Sequence, residues 1–373
     1  MRFYSALSLV IFLLCGMGSG PARGESTTRS RLNHAVSVIS SGDLKSHVDA
    51  LADDTFEGRA AGTRGGRAAA GYLRKHLVSL GLEGGGENGD FSQPFRNGCQ
   101  NLLAIVAGSD PILKDEFIVI GAHYDHVGYG SRSNSYGPTG YIHNGADDNA
   151  SGTAALLELA EAFAIAPCRR SILIAFWDAE EQGLWGSKHF VSNPTIPFEN
   201  IKLALNMDMV GRLRDNTLTI YGSRTWENAR TILSSVNSKM KMAQPMNIEF
   251  DWEIKPNSDH HPFYQRKIPY FMPHTGLHDD YHRPRDDAHK INSAGIESVA
   301  RFTFQTVQQL DELETIPNFR TLSRGETPLA KRRFELPLKP AAKRLKPFLF
   351  VETVNSTQIF FWNPKKKKRS ADR

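Results

Sequence analysis

Cysteine is scarce: the 373 residues hold three, and only Cys99 and Cys168 lie beyond the N-terminal segment. A disulfide-dense scaffold is therefore excluded. Both cysteines flank predicted strands, and the sequence leaves open whether they pair. Long apolar runs are equally lacking. The run at Ala6–Leu14 is too short for an ordinary membrane span, which excludes a polytopic membrane protein. Gly (31) and Pro (19) are near average use, with no internal repeat, so collagen-like and low-complexity chains are excluded. What remains, 40% hydrophobic and 23% charged residues, is ordinary for a soluble globular protein. The length allows one large domain or two ordinary ones, with a core that needs no covalent staples.

Excess positive charge is absent from most of the chain. The formal net charge is +5, yet residues 25–323 sum to −7, while 324–347 carry +6 and Lys365–Arg373 carry +5. The sequence pI near 9.0 thus belongs to the C-terminal end, and an acidic body argues against nucleic acid as a partner. The Lys365–Arg369 run reads as a solubilising tail.

Residues 1–24 read as a signal peptide: Arg2 at the start, an apolar run, then small residues and an Ala22-Arg23-Gly24 cleavage site. The expected location is periplasmic or extracellular, with no stable membrane insertion once the signal is removed. An uncleaved anchor, or lipidation at Cys15 after the bulky Leu14, is the competing reading. Residues 315–347, basic and Pro-containing, read as a linker. Residues 348–373 read as a hairpin, Pro347–Trp362, followed by the basic tail. That leaves 25–314 as the main domain.

In the body, apolar residues recur at helical spacing in Leu44–Leu51, Gly66–Leu80, Ser151–Ala164, Gly183–Phe190, Glu227–Val236 and Ile296–Leu310. Strands are predicted at Asn101–Ala107, Phe117–Ala122, Ser171–Trp177, Ile201–Met207, Thr217–Tyr221 and Pro269–Met272. The runs FIVIGA and SILIAFW are continuously apolar, as in strands covered on both faces. Alternating strands and helices predict an α/β sheet with helices on both sides.

Acidic residues and histidines gather where the predicted strands end. His123 and Asp125 follow FIVIGA, Asp147-Asp148 leads into a helix, Glu180-Glu181 follows SILIAFWDA, Asp208 follows Ile201–Met207, and His282 sits in a loop. Ligands of open α/β sheets collect at the carboxyl ends of strands. Carboxylates brought together repel unless one takes up a proton or a cation joins them, and mixed His and carboxylate donors suit zinc. His123, Asp148, Glu181, Asp208 and His282 supply five ligands, enough for two zinc ions sharing a carboxylate. Glu180 is then free to act as a base on water. Asp125, two residues after His123, is placed to orient its ring. Each of these residues alone would be an ordinary loop residue, cap or turn; only their joint placement points to a site. His126, His143, His260, His261, His274, His278 and His289 compete as ligands, and most are expected to be ordinary.

The strings GAHYDHVG (121–128), GADDNASGTAALLELA (145–160), FWDAEEQGLWGS (176–187), NMDMVGR (206–212), SDHHPF (258–263) and YHRPRDD (281–287), with LADDTFEGRAAGTRGG (51–66) before them, resemble the M28 family of zinc peptidases. The resemblance runs from about residue 43 to 312. It implies a mixed, largely parallel sheet sandwiched between helices. It also implies His123 and Asp208 on one zinc, Glu181 and His282 on the other, Asp148 bridging them, Glu180 as general base and proton donor, and Asp125 as support. The implied activity is that of an aminopeptidase on peptide substrates, with the substrate's free α-amine at the metal site. A carboxypeptidase, dipeptidase or glutaminyl cyclase on the same fold is the alternative, and a non-catalytic binding protein on the same scaffold is the third reading. A Tyr that some members carry shortly before the SDH string is missing from EIKPN (253–257), which leaves the oxyanion-stabilising residue unassigned. Asp259, His260, the basic end from 324 to 373 and the oligomeric state have no functional account in the sequence.

Overall fold

The computed structural model describes residues 23–240, 244–326 and 331. The signal-peptide reading of residues 1–24 falls outside the described residues except for Arg23 and Gly24, which open the first helix; the linker reading of 315–347 is described only over 315–326 and 331, and the hairpin and tail reading of 348–373 lies outside. In chain order the helices are α1 (Arg23–Val38), α2 (Ser41–Leu51), α3 (Arg64–Ser79), α4 (Gly152–Ile165), α5 (Trp185–Ser192), α6 (Ala229–Lys239), α7 (His260–Gln265) and α8 (Ser293–Asp311). The strands are β1 (Glu83–Gly84), β2 (Ser92–Pro94), β3 (Gln100–Val106), β4 (Phe117–His123), β5 (Ser171–Trp177), β6 (Ile201–Asn206), β7 (Thr217–Tyr221), β8 (Asn247–Phe250) and β9 (Tyr270–His274).

The strands form one sheet in the order β1-β3-β5-β4-β6-β9-β7-β8, with β2 beside β3. Its centre, β5-β4-β6-β9, is parallel; β3 and β7 run antiparallel to their inner neighbours. The sheet is therefore mixed with a parallel core, as expected. Alternate residues of each central strand point to opposite faces. Ile118, Ile120, Ile172, Ile174 and Phe176 enter a core shared with α2, α4 and α8. Val119, Leu173, Ala175 and Trp177 enter a smaller core with Phe190 and Phe263 from α5 and α7. Both faces are dry, which is why FIVIGA and SILIAFW show no polar alternation. Burying each large apolar side chain contributes about 1.5–3 kcal/mol.

Helix starts follow local chemistry. Ser40, Thr63 and Asn292 accept hydrogen bonds from the backbone N–H groups of Asp43, Gly66 and Gly295, each cap contributing about 1 kcal/mol. The sequence pattern misses α1, α7, β8 and the very short β1 and β2, of two and three residues. In α1, Ala35 is fully buried and Leu32, Val36 and Val38 pack partly buried against the core; β8 is a four-residue edge strand with an alternating exposed face, and α7 spans six residues. Residues 315–326 run along the body: Ile316 and Ser323 are buried, and Phe319 bridges to Trp226. Cys99 and Cys168 are both free and buried. They sit at opposite ends of the antiparallel β3–β5 pair, whose register runs from Leu102↔Phe176 to Val106↔Ile172. No described helix is long and apolar enough to cross a membrane.

Candidate metal centre

The carboxyl ends of the central strands carry the cluster. His123 is the last residue of β4. Glu180 and Glu181 follow β5 after a turn, Asp208 follows β6, and Asp148 lies in the irregular turn that opens α4. His282 arrives from the loop between β9 and α8. Three turns hold a non-glycine residue in left-handed backbone: Ala179 (φ 57°), Met209 (φ 51°) and His282 itself (φ 52°). Each costs roughly 1–2 kcal/mol, and each flanks or carries a site residue.

Two donor groups form around one shared carboxylate. His123, Asp148 and Asp208 make the first; His126, Asp148, Glu181 and His282 converge in the second. His123 Nε2 lies 3.4 Å from Asp148 Oδ1 and 3.5 Å from Asp208 Oδ1. His282 Nε2 lies 3.1 Å from both Asp148 Oδ2 and Glu181 Oε2. Asp148 thus offers one oxygen to each group, as a bridging ligand must. Zinc bonds of about 2.0–2.2 Å in a tetrahedron set donors about 3.3–3.6 Å apart, so these spacings fit a divalent cation in each group. Asp148 Oδ2 and His282 Nε2 are buried and lack hydrogen-bond partners among the described residues, a costly state that a cation relieves.

The protonation chemistry says the same. Burial would raise the Asp148 carboxyl, but the imidazoles of His123 and His282 beside it override it and hold the group well below its ordinary range. Burial opposes charge on His282, yet Asp148 and Glu181 push its pKa up to about 11. His123, despite burial, is likewise raised well above its ordinary value by Glu180, Asp125, Asp148 and Asp208. Protons on the imidazoles balance the carboxylates where a metal would. Burial, reinforced by Glu181, Asp259 and Asp208 against the opposing His123, pushes Glu180 well above the usual carboxyl range. A carboxylate so placed binds a proton readily, as a base must.

Buried neighbours hold the donors in place. Asp125 lies 3.7 Å from His123 Nδ1. It also accepts the backbone N–H groups of Glu180 and Glu181 at 3.0 and 3.3 Å. Asn149 ties three ligand segments together: its Nδ2 donates to the carbonyls of His123 and Met207, and its Oδ1 accepts from the Met209 N–H. Asp286 Oδ2 accepts the N–H groups of Asp147 and Asp148 at 2.8 and 3.1 Å, and Arg212 pairs with its other oxygen. Ser258 donates to Asp208 Oδ2 at 2.5 Å. Gly152 lies so close that a Cβ would meet the Met207 carbonyl at 2.2 Å.

All seven residues expected from the sequence (His123, Asp125, Asp148, Glu180, Glu181, Asp208 and His282) meet at this one edge of the sheet. Four others escaped it. His126, read only as one competitor among seven, joins the second donor group. Arg59, 1% exposed, donates to the carbonyls of Leu51, Tyr124, Asn144 and Gly145 at 2.6–2.9 Å, binding the turn after His123 to the loop before Asp148. Asp286 supports the bridge. Tyr281 stacks on His282 with ring centroids 4.0 Å apart. Its phenol is held protonated by burial and then by Asp148, Glu181, Asp208 and Glu180. The strings EGR, GAHYDHVG and YHRPRDD carry these residues, but nothing in a sequence tells a buried arginine from an exposed one. His143, by contrast, bonds Ser135 and the Tyr141 carbonyl, and His260 bonds the Lys255 carbonyl. Neither belongs to a donor group.

The family model described as Peptidase family M28 matches residues 101–307. The sequence is similar to that of aminopeptidase YwaD of Bacillus subtilis, 25% identical over 244 residues, which cover 61% of this chain and 46% of that protein. The fold is similar to that of the Legionella pneumophila LapA aminopeptidase, with a TM-score of 0.61 and 20% identity over 77% of this chain and 76% of that one. It is also similar to that of a Zn-dependent exopeptidase from Parabacteroides distasonis, with a TM-score of 0.58 and 19% identity over 72% and 98% of the two chains. At these identities the structural likeness speaks for the fold alone. The chain spans about half the length of the curated relatives it matches.

Proposed function

The chain belongs to peptidase family M28, and from that premise we propose that it is an exported zinc-dependent aminopeptidase that removes N-terminal residues from peptides. The observation that carries the reading is Asp148, whose two oxygens face the two donor groups separately. His123, Asp148 and Asp208 would hold one zinc ion; Asp148, Glu181 and His282 would hold the second. Zinc bound there supplies a Lewis acid for the scissile carbonyl and makes water acidic enough to attack it. Glu180 takes the proton from the attacking water and delivers it to the leaving amine. Its raised proton affinity suits both transfers. Asp125 fixes the main chain that presents Glu180. Tyr281, whose ring stacks on His282 and whose phenol burial keeps protonated, is the residue we propose for the oxyanion-stabilising role for which EIKPN offers no Tyr. Export rests on the composition of residues 1–24 and is tested by the N-terminus of the mature protein, expected at Glu25.

The activity is tested with a mixed peptide library and zinc-loaded protein, comparing free with acetylated N-termini. Release of single N-terminal residues from free-amine peptides alone, abolished by chelation, is the expected result. Cleavage indifferent to acetylation would shift the assignment to another amide hydrolase of the same fold.

A further inference from the structure

Resting on that metallopeptidase reading, we infer that His126 is a positioning residue that holds Glu181 to a single metal-facing oxygen. The fold builds a slot for its ring. Ala60 bridges to His126, and the His126 N–H donates to the Arg59 carbonyl at 3.3 Å. Gly145 passes beside the imidazole with φ +54°, where a Cβ would lie 2.4 Å from the ring Cδ2. The side chain has no exposed surface.

Distances separate a donor from a ligand. His126 Nδ1 lies 2.7 Å from Glu181 Oε1 and 3.7 Å from Asp148 Oδ2. Two ligands of one tetrahedral zinc sit about 3.3–3.6 Å apart. The His282 contacts, at 3.1 Å, approach that spacing; the shorter His126 contact falls in the range of a charge-assisted N–H···O⁻ bond, about 2.7–2.9 Å. The ring therefore donates through Nδ1 to Oε1, and Oε2 is left turned toward His282.

The string His123-Tyr124-Asp125-His126 then does three jobs from one strand end. His123 is a ligand, Asp125 pins the backbone of the glutamate pair, and His126 pins the Glu181 side chain. Adjacent glutamates are thereby held apart, Glu181 to the metal and Glu180 to the proton.

The test measures zinc dissociation constants by chelator competition in the wild-type protein, His126→Ala and His126→Asn, with zinc X-ray absorption counting imidazoles per metal. Asn places an amide N–H near the position of Nδ1 and is a poor zinc ligand. His126→Ala should weaken one of the two zinc sites by about 10–100-fold. His126→Asn should recover most of that loss, with the imidazole count equal to wild type. A loss well beyond that range, unrecovered by Asn and accompanied by a fall in imidazole count, would make His126 a ligand and overturn the inference. Unchanged zinc affinity in His126→Ala would overturn it too. A wild-type chain that takes up no zinc would instead overturn the metallopeptidase reading beneath it.

Discussion

Replacing Arg59 by Met probes how the site is held. The guanidinium is 1% exposed and donates to four carbonyl oxygens. Met matches the length of the stem and strands three of those acceptors, since the Gly145 carbonyl also accepts the Ala150 N–H at 3.1 Å. Each orphaned buried acceptor costs about 1–3 kcal/mol, a gross loss of about 3–9 kcal/mol. Part of it is offset. Burial, against the pull of Asp148, Asp125, Asp286 and Glu181, lowers the Arg59 pKa to about 10, so removing the buried charge recovers about 3 kcal/mol. The expected net loss is about 3 kcal/mol, in the range for breaking a buried charged network. For a domain of this size that is a fall in Tm of roughly 6–12 °C. Zinc affinity should fall with it, because Tyr124 and Gly145 lie within three residues of His123 and Asp148. The assay is calorimetric unfolding with and without zinc, beside chelator competition. Arg59→Lys keeps the charge but lacks the planar fork and should recover less than half of the loss. A Met variant that loses under about 1 kcal/mol and binds zinc as tightly as wild type would refute the reasoning.

Glu180→Gln should keep both metals and lose about 10²–10⁴-fold in turnover; near-normal rates with full zinc content would remove Glu180 from the role of base. Asp148→Ala should lower zinc content in both donor groups at once, measured by elemental analysis, whereas loss at one group only would contradict the shared carboxylate. Zinc uptake near neutral pH should release protons, since His282, with a pKa of about 11, and the raised His123 are charged in the metal-free fold and must be neutral to bind. Zinc affinity should therefore rise with pH below those pKa values, and calorimetric titration in buffers of different ionisation heat reads the protons directly; a pH-independent affinity would refute it. Cys99, whose pKa burial pushes up to about 11, and the buried Cys168, raised well above the ordinary thiol value, should resist iodoacetamide at neutral pH until the protein unfolds. Mass spectrometry of rapidly labelled native Cys99 or Cys168 would contradict that.

The sequence by itself determined the parts whose physics is local. Continuous apolar runs such as SILIAFW announce strands buried on both faces, because dry packing leaves no polar alternation to write. The helical spacing of Ala69, Leu73 and Leu77 announces α3, because one face must enter the core. The convergence of His123, Asp148, Glu181, Asp208 and His282 was legible because chemistry restricts the residue types that gather at a site and because strand ends point one way. The short elements were not: β8 and α7 have too few residues to establish a period and exist through their neighbours.

Only the tertiary structure decided which residues support those donors. His126 and His260 look alike as letters, and both are buried, yet one meets Glu181 at 2.7 Å and the other a backbone carbonyl. Arg59 reads as an ordinary charged residue among alanines and glycines until the fold encloses it and turns four carbonyls toward it. The separation of the cysteines was settled by the antiparallel register of β3 on β5, which no composition encodes. In each case the deciding quantity is a distance between segments tens of residues apart, and only the packed chain sets that distance.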